Sequence, residues 1–413
     1  MQKHSPVNEL PTSTQRTAIF ASQTLLALCA FALVNLAYLA FPEKAIVPAR
    51  EAILKNGAQL PMSHTFTGWA ARAFVNQRES ADVVLLGSSQ MGSAVFASDA
   101  QRLNKVLDCL LHRKGVSLAV ELEKRLGHPV SVFNWSLGGE MVSDAYMISK
   151  SLLVGNQKPK LVVIGVSPRD FIDNSLQYAG STEPFHFFSP YVDLGNLSQY
   201  AFPDLIDHLA WALEKNFPIR KLRDEKVRAL TEYTNAPVQP LPGRQFLRTI
   251  SGGAGDVKLG EWVITANIPN MLLDNTKEYQ SRFRDSNPAI YGPELKFFDA
   301  LLAMMKKSTV RVLVVGMPSL KPNRVLLSHS FWQTWRSNMM SLCKTNDANW
   351  IDLTDSSRFD MYDFLDTVHM NAAGGAKLFN IVADTIAGEP QLADSLNHTK
   401  QERSLAGTNA LPQ

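Results

Sequence analysis

The chain has 413 residues, of which 45% are hydrophobic and 19% are charged. This length suits one large domain or two ordinary ones, and the apolar content excludes a chain that is disordered throughout. The 41 basic and 38 acidic side chains leave a net charge of +3. A nucleic-acid-binding domain usually carries a strongly basic face, so we expect no nucleic-acid partner.

Cysteine is scarce, and the three cysteines do not form a metal motif. Cys29 lies in an apolar run, whereas Cys109 and Cys343 lie in the rest of the chain. Cys109 and Cys343 are either two buried thiols or one disulfide. The sequence has no CxxC pair and no Cys/His cluster with zinc spacing. We therefore expect neither a metal nor an organic cofactor.

Residues 17–41 form an uncharged apolar run, TAIFASQTLLALCAFALVNLAYLAF. A helix of about 20 apolar residues crosses a bilayer, whereas the apolar core of a cleaved secretory signal has about 7–15 residues. The run therefore predicts a retained transmembrane anchor behind a polar cytoplasmic tail of residues 1–16. Basic residues flank the run on both sides, so their distribution does not decide its orientation.

Beyond a proline-punctuated stalk at residues 42–80, short apolar runs alternate with helical patterns. Such runs are typical of buried parallel strands. The alternation predicts an α/β domain over residues 81–390, with a parallel sheet between two layers of helices. The predicted strands are 82–87, 130–134, 160–166, 310–316 and 349–353, and the predicted helices include 101–126 and 293–307.

The interval between the third and fourth predicted strands is far longer than one crossover helix. Residues from about 172 to 290 are therefore predicted to form an insertion. Its aromatic side chains either stack on sugar rings or pack as local core; they include Phe185, Phe187, Phe188, Tyr191 and Trp211. Residues 391–413 are polar and are predicted to form a disordered tail.

A serine follows the first predicted strand directly, in Gly87-Ser88-Ser89-Gln90. Where a buried strand turns into a helix, backbone N–H groups converge and the helix dipole favours negative charge. Ser89 is therefore a candidate nucleophile, although serine also caps helices. The nucleophile elbow of α/β hydrolases, G-x-S-x-G, needs a glycine where Met91 stands. That class of hydrolase is disfavoured.

Near the C-terminus, Asp366-Thr367-Val368-His369 precedes an apolar helical pattern. A carboxylate three residues before a histidine can orient the imidazole, whose second nitrogen then takes a proton from a hydroxyl. The alternative is a structural Asp–His pair that caps the helix. Asp366 and His369 are thus a candidate orienting acid and general base.

These segments, in this order, resemble the sequence blocks of the SGNH/GDSL hydrolase superfamily. Ser89 falls on the nucleophile of the first block, and Asp366 and His369 fall on the acid and base of the last block. The segment from Asn134 to Glu140 resembles the second block, and Gly139 falls on the glycine whose N–H joins the oxyanion hole. The resemblance covers about residues 80–175 and 305–390, and it implies a flavodoxin-like fold.

The third block departs from the family pattern. It normally supplies Gly-x-Asn, whose amide completes the oxyanion hole, and Ser167 stands at the asparagine position. Loss of one oxyanion donor can cost roughly 2.7–4 kcal/mol in the transition state. Either Ser167 joins Ser89 and Gly139 as a donor, or Arg169 supplies charge as an accessory group, or activity is low. Arg169 and Asp170 can equally form a structural ion pair.

The apolar N-terminal run combined with a Gly-Ser-Ser block is similar to the layout of membrane-anchored SGNH proteins of bacterial envelopes, including the D-alanine transfer protein of teichoic-acid modification. This resemblance implies a serine esterase or O-acyltransferase that acts on acyl esters, above all acetyl esters, of an envelope glycan or exopolysaccharide. It implies a single-pass protein of the inner membrane with its catalytic domain outside the cytoplasm, beside a membrane-bound O-acyltransferase. Two alternatives remain, a weak or inactive SGNH fold that binds such a partner and a lipid-directed esterase or thioesterase.

Overall fold

A computed structural model of the chain describes residues 22–33, 48–57, 60, 62–204, 257–265, 272–283 and 288–397. The chain divides into two compact units, Met1–Ile46 with Ile206–Gln239, and Val47–Leu205 with Pro240–Gln413. In the first unit the described residues are an exposed helix over 22–33. Among the described residues, no helix is both long enough and apolar enough to span a membrane. The predicted tail at 1–16 and the rest of the predicted anchor at 17–41 lie outside the described residues.

The second unit alternates strands and helices. Its strands are β1 (Val83–Gly87), β2 (Leu107–Asp108), β3 (Val132–Asn134), β4 (Leu161–Val166), β5 (Val263–Ile264), β6 (Arg311–Gly316) and β7 (Asn349–Asp352). Its helices are α1 (Ala49–Asn56), α2 (Phe66–Val75), α3 (Ser89–Leu103), α4 (Val116–Leu126), α5 (Val142–Leu152), α6 (Arg169–Ile172), α7 (Glu183–Phe188), α8 (Ser198–Ala201), α9 (Thr276–Arg282), α10 (Pro288–Lys307), α11 (Lys321–Arg324), α12 (His329–Thr345) and α13 (Ala372–Gly388).

Five of the strands form one parallel sheet in the order β3-β1-β4-β6-β7. Val84 of β1 lies opposite Phe133 on one side and Val162 on the other. This order places the second strand of the sheet on one side of the first strand and the later strands on its other side, as in flavodoxin-like folds. In such sheets a crevice opens at the carboxyl ends where the strand order reverses. Here that switch point lies between β1 and β4, and the predicted parallel α/β sheet is confirmed.

Helices cover both faces of the sheet, because side chains alternate between the faces along each strand. On one face, Leu85 and Val163 belong to a core cluster with Leu118 of α4 and Leu378 of α13. On the other face α5 packs against α10, with the Tyr146 and Phe297 ring centroids 5.5 Å apart. The fold is therefore a three-layer α/β/α sandwich whose sheet is buried.

Residues 42–80 are not a stalk where the structure describes them. They include α1 and α2, and Phe74 of α2 is buried with its ring centroid 5.0 Å from that of Phe133. The hydroxyls of Thr65 and Thr67 donate to the two carboxylate oxygens of Glu183. The expectation was wrong because apolar residues of α2 recur at helical spacing and bury one face of the helix against the domain.

The single helix predicted over residues 101–126 is also wrong, because two helices and a short strand occupy this region. α3 begins earlier, at Ser89, and is followed at Asn104 by a left-handed backbone with a φ of 49°, which asparagine tolerates at a helix end. β2 then pairs with β5, and α4 begins after Gly115.

The predicted disordered tail begins instead with ordered chain. Residues 390–397 are helical, and Leu392 and Leu396 are fully buried in the core cluster. These two leucines are four residues apart and therefore share one helix face. Residues 398–413 lie outside the described part of the chain.

The aromatic side chains at the start of the insertion are mostly core. Phe185 and Phe188 are fully buried, Phe187 is nearly so, and Tyr191 is half-buried. Trp211 lies outside the described residues. Cys343 is buried and Cys109 is half-buried, and both are free thiols.

Close packing of α13 on α3 gives a first prediction. A Cβ on Gly375 would lie 2.3 Å from the carbonyl oxygen of Ala94. We therefore expect Gly375→Ala to lower the free energy of unfolding by about 1–3 kcal/mol, measured by chemical denaturation followed by circular dichroism. Gly388→Ala, in the last turn of the same helix, is the control, since a Cβ there meets no atom within 4 Å. Equal losses for the two variants would contradict this packing.

Candidate active site

Ser89 lies where β1 turns into α3, at the switch point of the sheet. Gly87 ends β1 with a φ of +140°, and a Cβ there would lie 2.7 Å from the carbonyl oxygen of Gly165. Ser88 occupies the N-cap position of α3 without a capping hydrogen bond from its side chain, and Ser89 is the first residue of the helix. The first N–H groups of a helix have no partner within it and form the positive end of its dipole. The Ser89 hydroxyl is therefore next to donors that stabilise negative charge.

His369 and Asp366 lie in a tight loop directly before α13. The loop is closed by a hydrogen bond from the Leu365 N–H to the His369 carbonyl at 2.8 Å. Asn371 caps α13 by accepting from the Gly374 N–H. The Met370 N–H donates to Ser93 Oγ at 3.2 Å, which ties the loop to α3.

The structure brings Ser89, His369 and Asp366 into one line of hydrogen bonds. Ser89 Oγ lies 2.8 Å from His369 Nε2, and His369 Nδ1 lies 2.6 Å from Asp366 Oδ2. An ionised carboxylate only accepts, so Nδ1 carries the hydrogen and Nε2 of the neutral ring accepts from the Ser89 hydroxyl. This is the arrangement by which a hydroxyl is deprotonated as it attacks a carbonyl.

The Asp366 carboxylate is held in its ionised form. Partial burial raises the pKa of Asp366, but hydrogen bonds and charge from His369, together with the Val368 and His369 N–H groups, bring it below its ordinary value. The side chain of Asp366 is 15% exposed and that of His369 is 25% exposed. The His369 ring is thus oriented by Asp366 and remains accessible to solvent.

The turn after β3 carries Gly139, the predicted oxyanion donor. Gly139 has a φ of +78°, which an L side chain rarely adopts, and it is exposed beside Gly138. Within the described part of the chain, the Gly139 N–H has no hydrogen-bond acceptor. The Leu137 N–H donates to the Gly87 carbonyl, so the turn is attached to the end of β1.

Arg169 stabilises this turn by hydrogen bonds to its backbone carbonyls. Its guanidinium donates to the Gly139 carbonyl at 3.1 Å and to the Glu140 carbonyl at 2.8 Å. It also pairs with Asp173 at 2.9 Å, and it is only 6% exposed. Arg169 therefore acts in this structure as a support for the oxyanion turn, and its contact with Asp170, at 3.4 Å, is its longest.

Ser167, which the sequence resemblance aligns with an asparagine, is hydrogen-bonded to Asp170. Its hydroxyl and its N–H both donate to Asp170 Oδ2, at 3.0 and 2.7 Å. Ser88 also donates a side-chain hydrogen bond to Asp170, a carboxyl whose pKa is raised by burial. The Asp170 carboxyl thus links the ends of β1 and β4 by accepting from Ser88 and Ser167, and the Ser167 hydroxyl has its hydrogen directed toward Asp170.

The buried carboxyl groups around Arg169 have pKa values that are shifted in opposite directions. Glu140 is fully buried, and burial with the nearby charges of Asp144 and Asp170 raises its pKa well above the ordinary value. Burial also raises the pKa of Asp173, but the positive charge of Arg169 and hydrogen bonds from Ser175 bring it below the ordinary value. Asp173 is therefore the carboxylate that makes the shorter ion pair with Arg169, and Asp170 makes the longer one.

The support of Arg169 by Asp173 and Arg282 could not be read from the sequence. Arg282 Nη1 lies 2.6 Å from Asp173 Oδ2, although the two residues are 109 positions apart. Neither residue belongs to a recognisable motif, and Arg282 lies in the insertion, which has no counterpart in the family pattern. In the described part of the chain, no group of three His, Cys, Asp or Glu side chains is arranged to hold a metal ion.

Comparison with known proteins gives a limited likeness. No protein-family model matches the chain, and no curated protein does. Among solved structures, the chain is similar to an acylhydrolase of Bacteroides fragilis, at 9% identity and a TM-score of 0.35, covering 82% of this chain and 95% of that one. It is also similar to Axe2, an acetylxylan esterase of Geobacillus stearothermophilus, at 10% identity and a TM-score of 0.32, covering 76% and 96%.

Proposed function

We propose that the protein is a serine esterase or O-acyltransferase that acts on acyl esters, chiefly acetyl esters, of a cell-envelope glycan or exopolysaccharide. The observation that carries the enzymatic part is the hydrogen-bonded line from Ser89 Oγ through His369 to Asp366, with steps of 2.8 and 2.6 Å. A structural Asp–His pair capping a helix has no need of a serine hydroxyl on its free nitrogen. Asn371, not Asp366, provides the cap of α13.

In the proposed reaction, Ser89 Oγ attacks the acyl carbonyl while His369 Nε2 accepts the hydroxyl proton. Asp366 stabilises the imidazolium that forms. In this proposal the N–H groups of Ser89 and Gly139 bind the oxyanion. When the intermediate collapses, the proton on His369 passes to the departing sugar oxygen, and the acyl group remains on Ser89.

The second half of the reaction decides between hydrolysis and transfer. Water attacking the acyl-enzyme regenerates Ser89 and releases a carboxylic acid, whereas a sugar hydroxyl takes the acyl group to a new position. His369 is 25% exposed and serves either acceptor as a base. The exposed rim next to the loop includes Tyr362 and Leu273, which are 67% and 62% exposed and can contact a glycan chain.

The cellular setting is part of the proposal: the anchor rests on the uncharged run at residues 17–41, and the orientation and the partner rest on the resemblance to anchored SGNH proteins of bacterial envelopes. We infer a single-pass anchor in the bacterial inner membrane, with the domain outside the cytoplasm beside a membrane-bound O-acyltransferase. A protease added to intact spheroplasts is then expected to digest the domain. Digestion only after the membrane is lysed would contradict this orientation.

One observation favours a second candidate, a weak or inactive SGNH fold that binds an acyltransferase or a glycan. The Ser167 hydroxyl is directed to Asp170 and stands where the family has an asparagine amide. The intact line from Ser89 to Asp366 weighs against this candidate, because a pure binding protein does not need an oriented imidazole. Turnover by the purified protein separates the two.

The test is hydrolysis of p-nitrophenyl acetate by the full chain in detergent micelles. We expect Ser89→Ala to reduce kcat by at least roughly 10³-fold, since the residual rate would come only from the oxyanion donors and binding. Ser98→Ala is the matched control, because Ser98 lies in the same helix and bonds only to backbone carbonyls of α3. Its rate should equal that of the wild type.

Equal turnover by wild type and Ser89→Ala would contradict every enzymatic function proposed for this site. If turnover depends on Ser89, a series of p-nitrophenyl esters divides the substrate classes. Activity confined to short acyl groups supports acetyl esters of a glycan. A preference for long acyl chains would instead identify a lipid-directed esterase or thioesterase.

A further inference from the structure

A segment of the insertion, residues 272–283, runs between the two halves of the site, and we call it the strap. Its first end is bound to the loop that holds Asp366 and His369. The Leu273 N–H donates to the Leu365 carbonyl at 2.8 Å, and the Thr367 N–H donates to Asn275 Oδ1 at 3.1 Å. The Thr367 hydroxyl donates to the same oxygen.

The other end of the strap is bound to the support of the oxyanion turn. Arg282 pairs with Asp173, and its carbonyl accepts from the Asn174 N–H at 3.0 Å. Asp173 in turn binds Arg169, which holds the Gly139 carbonyl. The strap therefore connects the loop of the general base to the turn of the predicted oxyanion donor.

Tyr279 lies midway along the strap, on its inner face. It follows Asn275 by four residues and precedes Arg282 by three, and residues at these spacings share one side of a helix. Asn275 and Arg282 are the two residues whose side chains bind the site. Tyr279 is 5% exposed, and its ring centroid lies 5.4 Å from that of Phe283. Its side chain is thus buried on the helix face that carries Asn275 and Arg282, the residues bound to the His369 loop and to Asp173.

The phenol is a donor without an assigned acceptor. Among the described residues, none accepts a hydrogen bond from the Tyr279 hydroxyl. Burial raises the pKa of the Tyr279 hydroxyl. A phenol with a raised pKa keeps its hydrogen at neutral pH and remains able to donate.

We propose that the Tyr279 hydroxyl donates a hydrogen bond to the acyl oxygen of the substrate as negative charge develops there. It would take the role of the asparagine amide that Ser167 does not supply, alongside the Ser89 and Gly139 N–H groups. This inference rests on the proposed esterase function. The insertion would then contribute a residue to the chemistry. In the family resemblance, all site residues lie outside the insertion.

The test is Tyr279→Phe in the full chain, assayed with p-nitrophenyl acetate in parallel with Ser89→Ala. Phenylalanine keeps the ring and its packing and removes only the donor. We expect kcat to fall by roughly 10²-fold with little change in KM, because the hydrogen bond strengthens in the transition state. The pH dependence of the remaining activity should be unchanged, since His369 and Asp366 are intact.

Tyr291→Phe is the matched control, because it also removes a partly buried hydroxyl, one that accepts from Asn338. This variant should keep the wild-type kcat. A wild-type kcat in Tyr279→Phe, with activity still lost in Ser89→Ala, would overturn the role of Tyr279 and leave the esterase intact. The role would also be overturned if Tyr279→Ala hydrolysed long-chain esters faster while Tyr279→Phe kept the wild-type kcat. The ring would then only limit the size of the acyl group. No turnover in the wild type would contradict both proposals.

Discussion

The hydrogen bond between Ser89 and His369 joins residues that are 280 positions apart in the chain. It depends on the contact of two helices, because Ser89 begins α3 and His369 lies just before α13. Gly375 has no side chain and allows α13 to approach the backbone of α3, and a second hydrogen bond, from Met370 to Ser93, fixes the same approach. The reacting groups are therefore positioned by packing on one face of the sheet. Such groups need little reorganisation when a substrate binds.

The turn that contains Gly139, the predicted oxyanion donor, is held by charged side chains and not by helix packing. Arg169 holds two carbonyls of the turn that contains Gly139, and it is itself paired with Asp173. Burying an arginine is costly unless it is paired and its donors are satisfied. Arg282 of the insertion binds the same oxygen of Asp173, so this carboxylate is shared between two arginines. The insertion is thus part of the framework of the site.

The parts of the fold that could be predicted are those with local signals. The five strands of the parallel sheet follow from short apolar runs, and the Asp366–His369 pair follows from a fixed spacing in one loop. The segments whose structure was predicted wrongly or not at all depend on contacts with residues far away in the sequence. The segment predicted as a stalk packs against Phe133 and binds Glu183. The helix at residues 390–397 packs in the core, and the strap binds Asp173 and Thr367. No pattern within a short window reports a partner about 100 residues away. Ser167 was correctly placed at the end of the third strand of the parallel sheet, but its hydrogen-bond partner required the structure.

The most direct measurement of the central claim is labelling of the full chain by a fluorophosphonate probe, with the modified residue located by mass spectrometry. The probe reacts only with a serine whose hydroxyl is activated by a neighbouring base. We expect one label, on Ser89, and its loss in His369→Ala. A chain that takes no label at Ser89, or one that takes it equally well without the His369 imidazole, would contradict the account.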